Sequence, residues 1–154
     1  MLLVAATLAL SACGAQQPDA AAIVNGTVIS DQDVQSVSDQ LNSIAASGQK
    51  LTPGNALITL ILAPFVLDEA KRAGKAVSTS EARQVIAKVA DPSPATIEFV
   101  RVQMVIRTLN QTSTSTVVSE LGKAKITVNP RYGTFNPQKI VLTPIAPNWI
   151  VPTT

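Results

Sequence analysis

Ala56-Leu57-Ile58-Thr59-Leu60-Ile61-Leu62-Ala63-Pro64-Phe65-Val66-Leu67 decides the fold. Thr59 is its one polar residue. A helix that is apolar on every side belongs in the interior, so this stretch reads as a central helix on which the rest of the chain packs. Residues 56–67 fall short of the roughly 20 apolar residues that cross a bilayer. Thr52 caps the helix, and Pro53 takes its first position, where a missing N–H leaves no bond unmade. Charges arrive at Asp68, Glu69, Lys71 and Arg72, and Gly74 stops the helix. Pro64 lies inside it. Its ring and its missing N–H predict a kink, or a split near Leu60.

Towards the N-terminus, Ser47-Gly48-Gln49-Lys50 ends a helix over about residues 31–46. Val34, Val37, Leu41 and Ile44 give that helix one buried face. Ser30 is its N-cap, and Asp31 and Asp33 suit the positive end of its dipole. Before it, Ile23-Val24-Asn25-Gly26-Thr27-Val28-Ile29 reads as a β-hairpin, because Asn-Gly tolerates positive φ at both turn positions. Asn25-Gly26-Thr27 also matches a glycosylation sequon, which we take as coincidence.

Towards the C-terminus, Ser78-Thr79-Ser80-Glu81 is a capping box. The helix behind it carries Ala82, Val85, Ile86 and Val89 on one face and ends at Asp91-Pro92. Ser93-Pro94 opens the next helix, with Ile97, Val100, Met104, Val105 and Thr108 as its stripe and Arg101 and Arg107 snorkelling at its edges. Thr112–Thr116 reads as a Ser/Thr linker or frayed cap before a short helix, Val117–Lys123. Ile126-Thr127-Val128 and Ile140-Val141-Leu142 are strand-like, and Asn129, Pro130 and Gly133 are turn residues. The expected fold is mainly α: a bundle of four to five helices, with a small β element joining the N-terminal hairpin to a C-terminal strand. No internal repeat appears.

The N-terminus has its own grammar. An apolar run from Leu2 to Leu10, broken by Thr7, leads to Leu10-Ser11-Ala12-Cys13. This resembles the signal peptide and lipobox of bacterial lipoproteins, although no Lys or Arg precedes the apolar run. The resemblance implies that residues 1–12 are removed and that Cys13, the single cysteine, becomes a lipid anchor on the extracytoplasmic face of the cell membrane. Two acyl chains give the stable attachment that one does not. Residues 13–21 then form a flexible tether, 22–142 the helical domain, and 143–154, with Pro144, Pro147 and Pro152, an extended tail.

Composition narrows the function. The chain has 12 basic and 10 acidic residues and no histidine. Balanced charge without a basic run gives no nucleic-acid footprint. Without histidine, the usual Ser-His-Asp and Cys-His sites cannot be built. An acylated Cys13 leaves no soft metal ligand, and no calcium loop of the Asp-x-Asp-x-Asp-Gly kind is present. No catalytic residue, metal site or cofactor is therefore expected. The acidic pairs Asp68-Glu69 and Asp31/Asp33 read as solvated faces and dipole partners. Arg131-Tyr132 has two readings: contact with a client backbone or carboxylate, or a structural role in which Tyr132 covers the core and Arg131 pairs at the surface. Trp149, in the Pro-rich tail, is a candidate for docking on the domain, a membrane or a partner.

The hairpin Ile23–Ser30, the helices after it, and Val128-Asn129-Pro130-Arg131-Tyr132-Gly133-Thr134-Phe135 follow one another in an order that resembles the N-terminal domain of the SurA and PrsA group of extracytoplasmic chaperones, in the form carried by actinobacterial lipoproteins. The resemblance covers roughly residues 21–142. It implies that the hairpin lies beside Ile126–Val128, and that the module holds unfolded or exported polypeptides. Many relatives carry a parvulin domain inserted near the end of the helical region. Here only Thr112–Lys125 lies between the fourth helix and the strand, and the histidines of a parvulin site are missing, so peptidyl-prolyl isomerase activity is not expected. The alternative is a structural or interaction lipoprotein that binds one dedicated cell-envelope partner.

Overall fold

Local capping chemistry sets the start of every helix. The computed structural model describes residues 19–46 and 48–145. Strands β1 (Ala20–Val24) and β2 (Thr27–Ser30) lead into helices α1 (Asp31–Ile44), α2 (Pro53–Arg72), α3 (Thr79–Val85), α4 (Pro94–Ile106) and α5 (Gln111–Lys123). Strand β3 (Ile126–Val128), a 3₁₀ turn (Pro130–Tyr132) and strands β4 (Thr134–Asn136) and β5 (Val141–Thr143) complete the order. Ser30 and Ser78 each close a capping box, with Asp33 and Glu81. Thr52, Ser93 and Asn110 cap α2, α4 and α5 by accepting from the backbone three residues on. The expected class holds: among the described residues there are five helices with a small antiparallel β element.

Asn25 (φ 49°) and Gly26 (φ 86°) make the hairpin turn. β1 lies at the centre of a three-stranded sheet ordered β2-β1-β3. Ala22, Ile23 and Val24 face Val128, Thr127 and Ile126 across the β1–β3 pair, the juxtaposition expected of the hairpin and the later strand. A second, two-stranded sheet pairs β4 with β5.

α2 is the hub. Leu57, Ile61, Ala56 and Ala63 are fully buried, and α1, α4, α5, β1 and β5 all pack on it. α2 is long and apolar enough to cross a membrane by length and composition alone, and 56% of its apolar stretch is buried within the fold. Gln40 stitches α1 to the start of α4: its Oε1 accepts from the Thr96 hydroxyl at 2.7 Å and from the Ser93 N–H at 3.0 Å. This satisfies Thr96, a fully buried polar residue.

Several expectations are corrected. Pro64 does not split α2, which runs unbroken from Pro53 to Arg72. The Pro64 ring is exposed, and Leu60, Ile61, Ala63 and Val66 are held by packing on either side of it. α3 ends at Val85, which is 61% exposed; Ile86 and Val89 reach the core from the turns that follow. Thr108 is exposed at the end of α4, beyond its buried stripe. The Ser/Thr stretch is neither linker nor frayed cap but the first turns of α5. The hydroxyls of Thr114, Ser115 and Thr116 donate to carbonyls four residues back, which absorbs their polarity within the helix. Ser113, Val117 and Leu121 then face the core. Ala20 and Ala21, placed in the tether, belong to β1, and Thr143, placed in the tail, belongs to β5. Backbone pairing claims all three, although their sequence context is small, polar or Pro-rich.

Candidate functional site

The stretch Asn129–Gly133 is a clasp. Asn129 Nδ2 donates to the Ala20 carbonyl at 3.1 Å, and its Oδ1 accepts from the Arg131 N–H at 3.1 Å. Pro130 starts the 3₁₀ turn. The Tyr132 hydroxyl and the Arg131 guanidinium both donate to Oδ1 of Asp31, the first residue of α1. The Arg131 guanidinium carbon lies 5.3 Å from the centroid of the Tyr132 ring. The Tyr132 hydroxyl bond, with the Arg131 cation beside it, holds the Asp31 carboxyl below its ordinary range. Burial, and then the bond to Asp31, push the Tyr132 phenol up. Gly133 closes the clasp at φ 102°, where a Cβ would sit 2.3 Å from the Thr143 carbonyl oxygen. Arg131 and Tyr132 thus both bond Asp31, with Tyr132 half-buried and the Arg131 side chain still exposed at the surface. Cys13 and Trp149 lie outside the described residues.

A module that holds unfolded polypeptides calls for an apolar cleft between helices, but the sequence did not say where. Two clefts flank the hairpin tip above the exposed side of α2. One, of about 540 Å³, runs from Asn25 past Pro64 and Phe65 to Arg72 and to Glu120 of α5. The other, of about 430 Å³, lies between β2 and α4, with Ile29, Leu60 and Leu67 as apolar lining and Lys71, Glu98 and Arg101 as charged lining. Asn25, Pro64, Asp68 and Lys71 border both. Pro64 has no N–H to give to the Leu60 carbonyl, so the gap in the α2 ladder lies at the cleft wall.

The charges around these clefts are unequally matched. Lys71 Nζ sits 3.1 Å from Asp68 Oδ1, and Arg72 Nη2 sits 3.3 Å from Glu69 Oε2. Arg101 Nε donates to the Val77 carbonyl at 2.9 Å. Glu98 forms no ion pair among the described residues. Although it touches solvent, the protein around it pushes its carboxyl up; Arg101 opposes this and the Asp33 charge reinforces it. A proline within an apolar helix was the one sequence signal that could have marked this place.

The chain matches no family model, no curated protein and no solved structure.

Proposed function

We propose that this is a lipid-anchored, extracytoplasmic holdase that binds extended segments of unfolded exported proteins and catalyses no reaction. The paired clefts beside α2 carry the reading. They are open, partly apolar and rimmed by both signs of charge, which suits a peptide backbone with varied side chains better than one small substrate. The lipobox resemblance at Cys13 supports the address. The likeness of the hairpin and of the Asn129–Gly133 stretch to the SurA and PrsA group supports the class, without a parvulin domain or its isomerase activity.

The test is promiscuity. The purified chain at modest excess should suppress the aggregation of several unrelated unfolded proteins, followed by light scattering. Failure with all of them sinks the holdase reading, and one stable partner in their place favours an interaction lipoprotein. For the anchor, mass spectrometry of membrane-extracted protein should show an acylated N-terminal cysteine, and Cys13→Ser should leave the membrane fraction.

A further inference from the structure

β2 is an edge strand, with β1 on one side and no paired strand on the other among the described residues. In a hairpin closed by a two-residue turn, Val24 and Thr27 exchange ladder bonds, as do Ala22 and Ile29. Ile23 and Val28 face each other between those pairs. The N–H and C=O of Ile23 therefore turn to β3, opposite Thr127, while those of Val28 turn away from the sheet. Unpaired ladder groups of this kind are a template for another strand. Val28 is 40% exposed. Thr27 and Ile29 alternate to the opposite face and line the cleft of about 430 Å³. A strand added beside β2 would lie about 4.8 Å from it. The residues flanking the one opposite Val28 would then hang over that cleft.

Charge specifies what the cleft takes. Lys71 is paired with Asp68, and Arg101 is bonded to the Val77 carbonyl. Glu98, on the α4 wall, forms no ion pair among the described residues: the Arg101 charge acts on it from beyond ion-pair distance, and its other charged neighbour, Asp33, is acidic. The complement is a basic side chain one residue from the backbone contact.

We infer that β2 is a docking edge for an extended polypeptide segment bearing a lysine or arginine, which pairs antiparallel with the backbone of Val28 and sets its basic side chain on Glu98. This rests on the holdase reading of the same clefts and adds a binding mode and a sequence preference. Main-chain bonds supply sequence-tolerant affinity, and the cleft adds selectivity.

The probe is a fluorescein-labelled nonapeptide of alternating valine and threonine with one lysine, titrated against the full chain by fluorescence anisotropy. Val28→Pro deletes an N–H that the sheet does not use, a change edge strands tolerate. It should weaken binding about tenfold. N-methylation of the peptide at one backbone position in a scan should do the same without altering the protein. Glu98→Gln should weaken the lysine peptide about fivefold and leave a norleucine version unchanged. The proposal is overturned if folded Val28→Pro binds with full affinity, or if no methylated peptide loses affinity; should Val28→Pro fail to fold, the methylation scan alone decides. A dimer sensitive to Val28→Pro that the peptide competes away would assign the edge to a second copy and also overturn it. Aggregation suppression measured on the same samples separates the two ideas. Suppression that persists without the strand contact keeps the holdase reading and rejects this mode. Methylation-sensitive binding without suppression does the reverse.

Discussion

Asp31 joins the two ends of the domain through one carboxylate oxygen. It opens α1, where the helix dipole favours a negative charge, and receives Tyr132 and Arg131 from a turn 100 residues later. Tyr132→Phe keeps the ring over the core and removes one bond, so it should cost about 1 kcal/mol in chemical denaturation. The pH dependence follows from the depressed carboxyl of Asp31. A carboxyl held low in the folded state adds stability above its unfolded pKa and loses it as the pH falls through the folded value. The Tm gap between wild type and Asp31→Asn should therefore be widest near neutrality and shrink below about pH 4. A gap that stays constant down to about pH 2 would show that the charge is not what matters. Arg131 and Tyr132 stood out in the sequence, but their partner was hidden, because Asp31 already had a sufficient local role as a first-turn acid.

At the scale of the element, what could be read was what is local. Ser30, Thr52, Ser78 and Ser93 carry their caps within three residues, so the starts of four helices were visible. α5 was half-missed because its Ser/Thr turns satisfy themselves by bonding back along the helix, a device with no hydrophobic period. β4 is three residues with no alternation to register, whereas β3 was read at its own bounds and β5 one residue early, at Ile140, whose φ of 53° just before the strand no β-branched residue advertises. Pro64 is the opposite case: a breaker that packing overrides. An interior proline costs a helix about 3 kcal/mol. Pro64 is exposed, so Pro64→Ala leaves no cavity and restores a donor for the Leu60 carbonyl. The variant should be more stable by about 1–2 kcal/mol in urea, with an unchanged m-value. Equal or lower stability would mean that the ring makes compensating contacts in the clefts it borders.

At the scale of the molecule, the clefts were illegible because they belong to no element. They arise where the hairpin tip, α2, α4 and α5 meet, and contacts across 100 positions and more fix that meeting. The Lys125 N–H donates to Asn25 Oδ1, and the Asn129 side chain reaches the Ala20 carbonyl. β1 is buried at Ala21, Ala22 and Val24 because β3 and the clasp hold its far side. A chain ending at Lys125 would keep all five helices but lose β3, both C-terminal strands and the partners of Asp31. What is left of the main sheet is a two-stranded hairpin, marginal in water without packing. Each lost hydrogen bond is worth about 1 kcal/mol, against about 5–15 kcal/mol for a whole domain. The truncated chain should therefore retain helical far-UV circular dichroism while its thermal transition broadens and moves down by more than about 10 °C. A sharp transition at the wild-type midpoint would show that the helices set the hairpin, and with it the clefts, without help from the C-terminal strands.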